Sequence, residues 1–188
     1  MGLIIILVIV AVVVVLGLLL FGMYNGLVRA RIRVREAWAG IDVQLKRRSS
    51  LIPNLVETVK GYAAHEQETF ENVTRARAQL DNAQGPREAA QADNFLQSTL
   101  RSLFAVSEAY PDLKANQNFL ELQRELTDTE DKISFARQFY NTNVSGYNQR
   151  IQVFPNVILA RNFGFTEEEF YEAEEEARED VQVSFSTS

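Results

Sequence analysis

The chain opens with an uninterrupted apolar run and continues with apolar residues that recur at every third or fourth position. Residues 3–21 carry no charged or strongly polar side chain. As an α-helix they span about 28 Å, close to the thickness of the hydrocarbon core of a bilayer. Tyr24 follows, and then come Arg29, Arg31, Arg33 and Arg35. This order is typical of a helix leaving a membrane, so we predict a transmembrane anchor over residues 1–24 and a membrane interface at Tyr24 and the four arginines.

A cleaved signal peptide is the alternative for this run. Signal peptides have a positive amino-terminal region, a shorter apolar region and a small-residue cleavage site. Here no Lys or Arg precedes the run, and residues 21–24 offer no such site. We therefore expect the span to be retained. Since positive residues near a span stay on the cytoplasmic side, we expect the amino terminus outside and residues 25–188 in the cytoplasm. Arginines two residues apart ring the helix, which suits phosphate headgroups.

The first soluble helix follows from a heptad-like row, which is typical of a helix packed in a coiled coil or bundle. Only Arg48 interrupts this row. A break at Pro53 is one alternative, with Ser49 or Ser50 as the cap of a new helix. The phase of the row is the same on both sides of Pro53, however, and this favours one kinked helix that runs to about Asp81, roughly 85 Å in all. The row consists of Val34, Trp38, Ile41, Leu45, Ile52, Leu55, Val59 and Tyr62.

Turn residues at 82–86 precede a second helix over about 87–109, and a third long helix is predicted over about 116–150. A short helix over 157–162 follows. Thr166 and Glu169 form a capping box that predicts a last acidic helix to about Arg178. Residues 181–185 alternate like an edge strand without an evident partner, so we predict an irregular tail. The predicted fold class is all-α: a transmembrane helix that continues into an antiparallel bundle of three long helices over 25–165, with short carboxy-terminal helices and an acidic tail over 166–188.

Composition restricts the function. The chain has 188 residues, no cysteine, four prolines and nine glycines, which favours long helices and excludes disulfides and thiolate chemistry. Its net charge is −6, and residues 166–188 hold nine acids and one arginine (−8), so residues 1–165 sum to +2. A nucleic-acid-binding protein would show the opposite bias, and we expect no nucleic acid as a partner.

The sequence offers few candidate catalytic or metal-ligating residues. His65 and Glu66 begin a zinc-protease-like pattern, but position 69, where the second histidine would stand, is Thr69. Runs of acids such as 167–169 are typical of solvated faces. We therefore predict no catalytic residue, metal or cofactor. Arg48 lies at a position that should face other helices, where a buried charge must be paired. We expect such ion pairs to fix the register of the helices, and Arg137 or Arg150 with Glu57 or Glu108 are the pairs we consider.

Several blocks of residues, in order along the chain, resemble the LemA family. The first are residues 24–28 (YNGLV), 36–48 (EAWAGIDVQLKRR) and 51–56 (LIPNLV). Further blocks are residues 105–115 (AVSEAYPDLKA), 135–141 (FARQFYN) and Phe154-Pro155. The resemblance covers the chain from about Tyr24 to Phe185, and the one departure noted is Ser50 where an acidic or amide residue is expected.

The resemblance implies a bacterial protein of the cell membrane, anchored by one amino-terminal span, with an antiparallel helical domain. It implies no enzymatic activity, since none is established for the family. Some relatives are associated with shaping or invaginating internal membranes, which motivates the hypothesis of a structural role. The alternative hypothesis is an adaptor or regulator that presents a helical surface to a membrane protease, kinase or transporter.

Surplus apolar residues off the main rows predict a homo-oligomer, in the form of a ring or cage. A helix with apolar residues on several faces is contacted from several sides, and copies anchored in one membrane are the nearest cover. The partners we expect are therefore the lipid bilayer, further copies of the chain and a client membrane protein. The candidate oligomer contacts are Trp38, Val43, Val56, Phe70, Leu120, Phe135 and Phe139.

Overall fold

The computed structural model describes residues 1–171, in which six α-helices are joined by turns and no strand occurs. The all-α fold class predicted from the sequence is confirmed. The described chain divides into two compact units, one of residues 1–42 and 134–170 and the other of residues 43–133 with Tyr171. The helices are α1 (Gly2–Lys60), α2 (Gln67–Asn82), α3 (Gly85–Ser107), α4 (Pro111–Lys114), α5 (Gln117–Gln152) and α6 (Asn156–Phe163).

The first unit combines the amino-terminal part of α1 with the carboxy-terminal part of α5 and with α6. The Trp38 ring on α1 meets the Tyr140 ring on α5 edge-on, with the centroids 5.8 Å apart. Earlier residues of α1, Arg31 and Arg35, act electrostatically on Tyr147, which is later in α5, so the two helices run antiparallel. The buried residues of these two helices include Val34 and Ile41 of the predicted row on α1 and, on α5, Tyr140, Val144, Tyr147 and Ile151, which are spaced by three or four residues.

The second unit contains the end of α1, helices α2 to α4 and the beginning of α5. Its core again follows the predicted rows, because apolar side chains spaced by three and four residues occupy one face of a helix. The fully or almost fully buried residues are Leu45, Ile52, Leu55, Val59, Leu96, Leu100, Leu103, Leu126 and Ile133.

Helix α1 continues through Pro53, as the unbroken phase of the row predicts. The prediction that it extends to about Asp81 is wrong, because the helix ends at Lys60 and the chain reverses over 61–66 before α2. The Ser49 hydroxyl donates a hydrogen bond to Asp81 at 2.5 Å. In one continuous helix these residues would be about 48 Å apart. Gly61 at the reversal lowers helix propensity by about 1 kcal/mol relative to alanine, a breaker that the apolar pattern does not reveal.

Helices α3, α5 and α6 agree with their predicted positions to within two residues, whereas the short helix α4 was not predicted. Gly164 closes α6 in the left-handed conformation (φ 71°), and the Phe165 N–H bonds to the Ala160 carbonyl at 3.0 Å. The predicted helix at the Thr166–Glu169 capping box is wrong as far as the structure describes it, since residues 165–171 are not helical. The rest of that predicted helix, and the strand-like residues 181–185, lie outside the described residues.

Candidate membrane interface and buried ion-pair network

The apolar segment of α1 is exposed along its whole length. Its large side chains from Leu3 to Phe21 are between 50% and 73% exposed. Within the described residues α1 is the one helix long and apolar enough to cross a membrane, by length and composition. A protein interior would have covered such a segment, so its exposure is consistent with a membrane anchor.

Three aromatic rings meet just past the end of this segment. The Tyr24 ring contacts Phe163 edge-on at 5.1 Å and Phe165 at 5.7 Å between centroids. Tyr24 follows Phe21 by three residues, which is about 4.5 Å along the helix. The carboxy-terminal end of α6 is therefore held against α1 at the level where the apolar segment ends.

The four arginines predicted at the membrane interface do not all face outward. Arg29, Arg33 and Arg35 are exposed. The Arg31 guanidinium instead forms an ion pair with Glu168 of the same unit, with 3.0 Å between Nε and Oε1. The complete ring expected from the sequence is thus reduced to three outward arginines, because the carboxy-terminal segment supplies a carboxylate to the fourth.

That carboxy-terminal segment is fixed to α5 by hydrogen bonds between side chains and backbone. The Asn148 amide accepts a bond from the Glu168 N–H and donates one to the Glu168 carbonyl, both at 3.0 Å. The Tyr140 hydroxyl donates to the Glu169 carbonyl at 2.7 Å. These bonds satisfy the backbone in an extended form, which explains why the local capping signal does not start a helix there.

Burial changes the titration of two tyrosines in this unit. Desolvation, with the nearby charges of Glu168 and Glu169, raises the pKa of Tyr140 to about 12. Desolvation also raises the pKa of Tyr147, and Arg31 opposes that shift. Both phenols are therefore neutral at physiological pH and do not act as acids or bases there.

The predicted oligomer contacts separate into buried and exposed residues. Val56 and Phe70 are each only 5% exposed, so the argument from surplus apolar surface is wrong for these two. Trp38 is half-buried against Tyr140. The other four remain on the surface: Val43 (60% exposed), Leu120 (36%), Phe135 (73%) and Phe139 (55%).

Arg48 is the centre of a buried polar network in the second unit. Its guanidinium is 2% exposed and forms ion pairs with Asp93 on α3 and Glu130 on α5. The Tyr171 hydroxyl bonds to the second Asp93 oxygen at 3.2 Å, and the Gln97 amide donates to both Glu130 oxygens at 3.1 and 3.3 Å. Because all these charges are paired and hydrogen-bonded, the network links three helices rather than presenting a reactive group.

The sequence predicted a paired Arg48 but not its partners. Asp93 lies within an alanine-rich stretch of α3, and Glu130 lies beside the solvated acids of α5. The carboxylates considered earlier are paired elsewhere: Glu57 with Lys60 at 3.4 Å and Glu108 with Lys114 at 2.5 Å. A cleft of about 310 Å³ borders the network and is lined by Arg48, Gln97, Leu100, Arg101, Phe104, Leu126, Thr127 and Glu130.

Metal-ligating side chains do not converge anywhere in residues 1–171. That part of the chain contains no group of three or more His, Cys, Asp or Glu residues that could hold an ion. His65 is exposed in the turn between α1 and α2.

Comparisons with known proteins identify the family of this chain. The model of the LemA family matches residues 37–185. The chain is 28% identical over 167 residues to "Protein LemA" of Metamycoplasma hominis, which covers 87% of this chain and 75% of that protein. It is 25% identical over 175 residues to "Magnetosome protein MamQ 2" of Paramagnetospirillum magneticum, covering 79% of this chain and 64% of that protein, so it spans just under two thirds of that relative's length. MamQ of Magnetospirillum gryphiswaldense is likewise 25% identical. The family match covers residues 37–185, which is most of the chain, and the chain therefore belongs to the LemA family.

Proposed function

We propose that this protein is a non-enzymatic, membrane-anchored scaffold that assembles with copies of itself and organises the surrounding bilayer. The exposed apolar segment of α1 supports the anchor. The names of the relatives are not enzyme names. The buried charges of the second unit are fully paired, which supports a structural rather than a catalytic role for them.

The observation that carries the proposal is a pair of exposed phenylalanines on α5. Phe135 and Phe139 are 73% and 55% exposed and stand four residues apart, so they lie on the same face of the helix. Exposed apolar side chains that are adjacent usually mark an interface. Copies anchored in one bilayer meet at a raised effective concentration, and identical subunits usually assemble with closed symmetry. A ring or cage with tilted neighbours would curve the membrane.

The orientation belongs to the same proposal. Arg29, Arg33 and Arg35 are exposed beyond the apolar segment, and positive residues near a span favour the cytoplasmic side. Residues beyond Tyr24 are then cytoplasmic. Because the chain has no cysteine, a single Gly2→Cys or Glu71→Cys substitution can be probed directly. An impermeant thiol reagent should label the first in intact cells and not the second, and the reverse pattern would contradict the orientation.

The size of the solubilised particle tests self-assembly. Mass photometry of the detergent-extracted chain should give a uniform multiple of the 21.3 kDa subunit. The double variant Phe135→Ser/Phe139→Ser should shift the particle towards the monomer. Gln123→Ser/Thr127→Ser, two exposed residues on another side of α5 and about 12 Å or more along the helix from Phe135, is the matched control and should leave the particle unchanged. A wild-type monomer at micromolar concentration would contradict the scaffold.

The cleft beside Arg48 favours the second candidate function, that of an adaptor. Its apolar residues Leu100, Phe104 and Leu126, with the exposed Arg101 at the rim, could receive an apolar, acidic segment of a client. A monomeric particle in which Arg101→Glu weakens the capture of a defined membrane-protein client would favour the adaptor over the scaffold.

A further inference from the structure

Helix α6 exposes two of its large apolar side chains. Leu159 and Ala160 are buried against the rest of the first unit. Ile158 and Phe163 are 54% and 61% exposed, together with the polar Arg161 and Asn162. Most surface helices expose mainly polar residues.

The turn before α6 extends this apolar surface. Val153 is 53% exposed and Phe154 is 80% exposed. We name the exposed residues Val153, Phe154, Ile158 and Phe163 the α6 patch. Four large apolar side chains this close together are more than the scattered single residues that are normal on a surface.

Contact with Tyr24 fixes the level of the α6 patch along α1. The Phe163 and Tyr24 ring centroids are 5.1 Å apart, and Tyr24 lies about 4.5 Å beyond the end of the apolar segment. The headgroup layer on each side of a bilayer is roughly 5–8 Å thick. If α1 crosses the bilayer, Phe163 therefore lies in that layer.

The charges around the α6 patch also fit a lipid surface. Residues 150–165 contain two exposed arginines, Arg150 and Arg161, and no acid, while one exposed acid, Glu167, accepts a hydrogen bond from Gln152 at 2.8 Å. Apolar side chains flanked by basic ones are typical of helices that lie in the membrane interface, where anionic lipids attract the positive charge.

We propose that the α6 patch is a second membrane attachment, which lies in the headgroup region of the same bilayer leaflet from which α1 emerges. This inference rests on the proposed function insofar as α1 must cross the bilayer. Anchored at both α1 and α6, the first unit is held at a defined tilt to the membrane instead of swivelling on one helix. A fixed tilt is what a scaffold needs in order to transmit its geometry to the bilayer.

Spin labels report the depth of the patch. The full chain with a single Phe154→Cys or Ile158→Cys substitution is labelled and reconstituted at low density in vesicles of phosphatidylglycerol and phosphatidylcholine. Collisions with oxygen, which partitions into lipid, are compared with collisions with a water-soluble nickel chelate. Both labels should show an oxygen-to-nickel ratio several-fold higher than a label at Ser134→Cys, an exposed position of the same unit about 27 Å along α5 from its end.

A label at Val10→Cys separates this inference from the proposed anchor. If Val10 itself is accessible to nickel, α1 does not cross the bilayer and the proposed function fails. If Val10 lies deep in lipid while the labels at 154 and 158 match the label at 134, the α6 patch is aqueous and this inference is overturned. Label–label broadening at 154 or 158 that disappears on dilution with unlabelled chain, without lipid exposure, would instead assign the patch to a second copy.

Discussion

At the scale of the residue, the ion pairs of Arg48 tie together three helices of the second unit. The guanidinium lies between Asp93 and Glu130 at a position where an apolar side chain would continue the row. Buried charges add little net stability while they are paired, but removing one partner leaves the other uncompensated in a medium of low polarity. Asp93 is 0% exposed, so the loss of its cationic partner should be especially costly.

Arg48→Met should therefore destabilise the domain strongly. Loss of the guanidinium removes the cation that is paired with the buried Asp93 carboxylate, at an expected cost of about 3–5 kcal/mol in the free energy of unfolding. Urea unfolding of the detergent-solubilised chain, followed by circular dichroism, measures this loss. Arg47→Met is the matched control. The Arg47 side chain is 40% exposed and pairs at the surface with Glu125 at 2.6 Å, so its loss should be much smaller. Equal losses for both variants would contradict the role assigned to Arg48.

Tyr140 predicts a dependence of stability on pH. Its pKa is about 12 in the folded protein and 10.0 as the reference for the unfolded chain. A pKa raised by folding contributes stability that is complete below pH 10 and is lost as the pH rises towards 12. Unfolding should thus become easier across this window, as reported by the fluorescence of Trp38, whose ring contacts Tyr140. Tyr140→Phe should reduce this loss of stability between pH 10 and pH 12. The raised pKa of Tyr147 should account for the part of the loss that remains. An unchanged pH dependence in Tyr140→Phe would contradict the assignment.

At the scale of the element, α1 contains a proline in its interior and ends at Lys60, directly before a glycine. Pro53 removes the hydrogen bond to the Ser49 carbonyl without breaking the helix, since Ile52 and Leu55 on either side are buried in the core. Tertiary packing thus overrides a local signal. Gly61, with its weak helix propensity, follows the last helical residue, Lys60, and the chain reverses into α2.

Pro53→Ala should therefore stabilise the domain. Alanine restores the missing hydrogen bond and removes the clash of the ring with the preceding turn, a gain of about 1–3 kcal/mol. Pro86→Ala is the matched control, because Pro86 occupies the first turn of α3, where proline is tolerated and its N–H is not needed. Urea unfolding should show a gain for the first variant and none for the second. A lower free energy of unfolding for Pro53→Ala would contradict this prediction.

The periodic apolar spacing predicts the positions of α3, α5 and α6 and many of the residues that the helices bury, because burial of one face is a local property of spacing, but it does not predict the reversal that separates α2 from α1. The partners of Arg48 could not be predicted, since Asp93 and Glu130 are 45 and 82 positions away and their approach depends on how the helices rotate in the bundle. The extended segment with Glu168 shows the same limit. Its capping box is a genuine local signal, and the distant Asn148 outweighs it.

At the scale of the whole molecule, the three exposed apolar surfaces suit different surroundings. The segment from Leu3 to Phe21 suits the bilayer core, the α6 patch suits the headgroup layer, and Phe135 with Phe139 suits another copy. Each surface would be costly in water, and under the proposed function an assembly that lies on a membrane would cover all three. We expect such an assembly to impose its curvature on the lipid, since every subunit is attached to the bilayer.

The most direct test of this account is the shape of vesicles that contain the purified chain. Electron cryomicroscopy of liposomes with increasing protein density should show invaginated or more strongly curved membranes for the wild type. Phe135→Ser/Phe139→Ser at the same density should leave the vesicles spherical, while the surface control Gln123→Ser/Thr127→Ser should behave as the wild type. Vesicles that remain unchanged although the wild-type chain has inserted and assembled would contradict the claim that this protein organises the membrane.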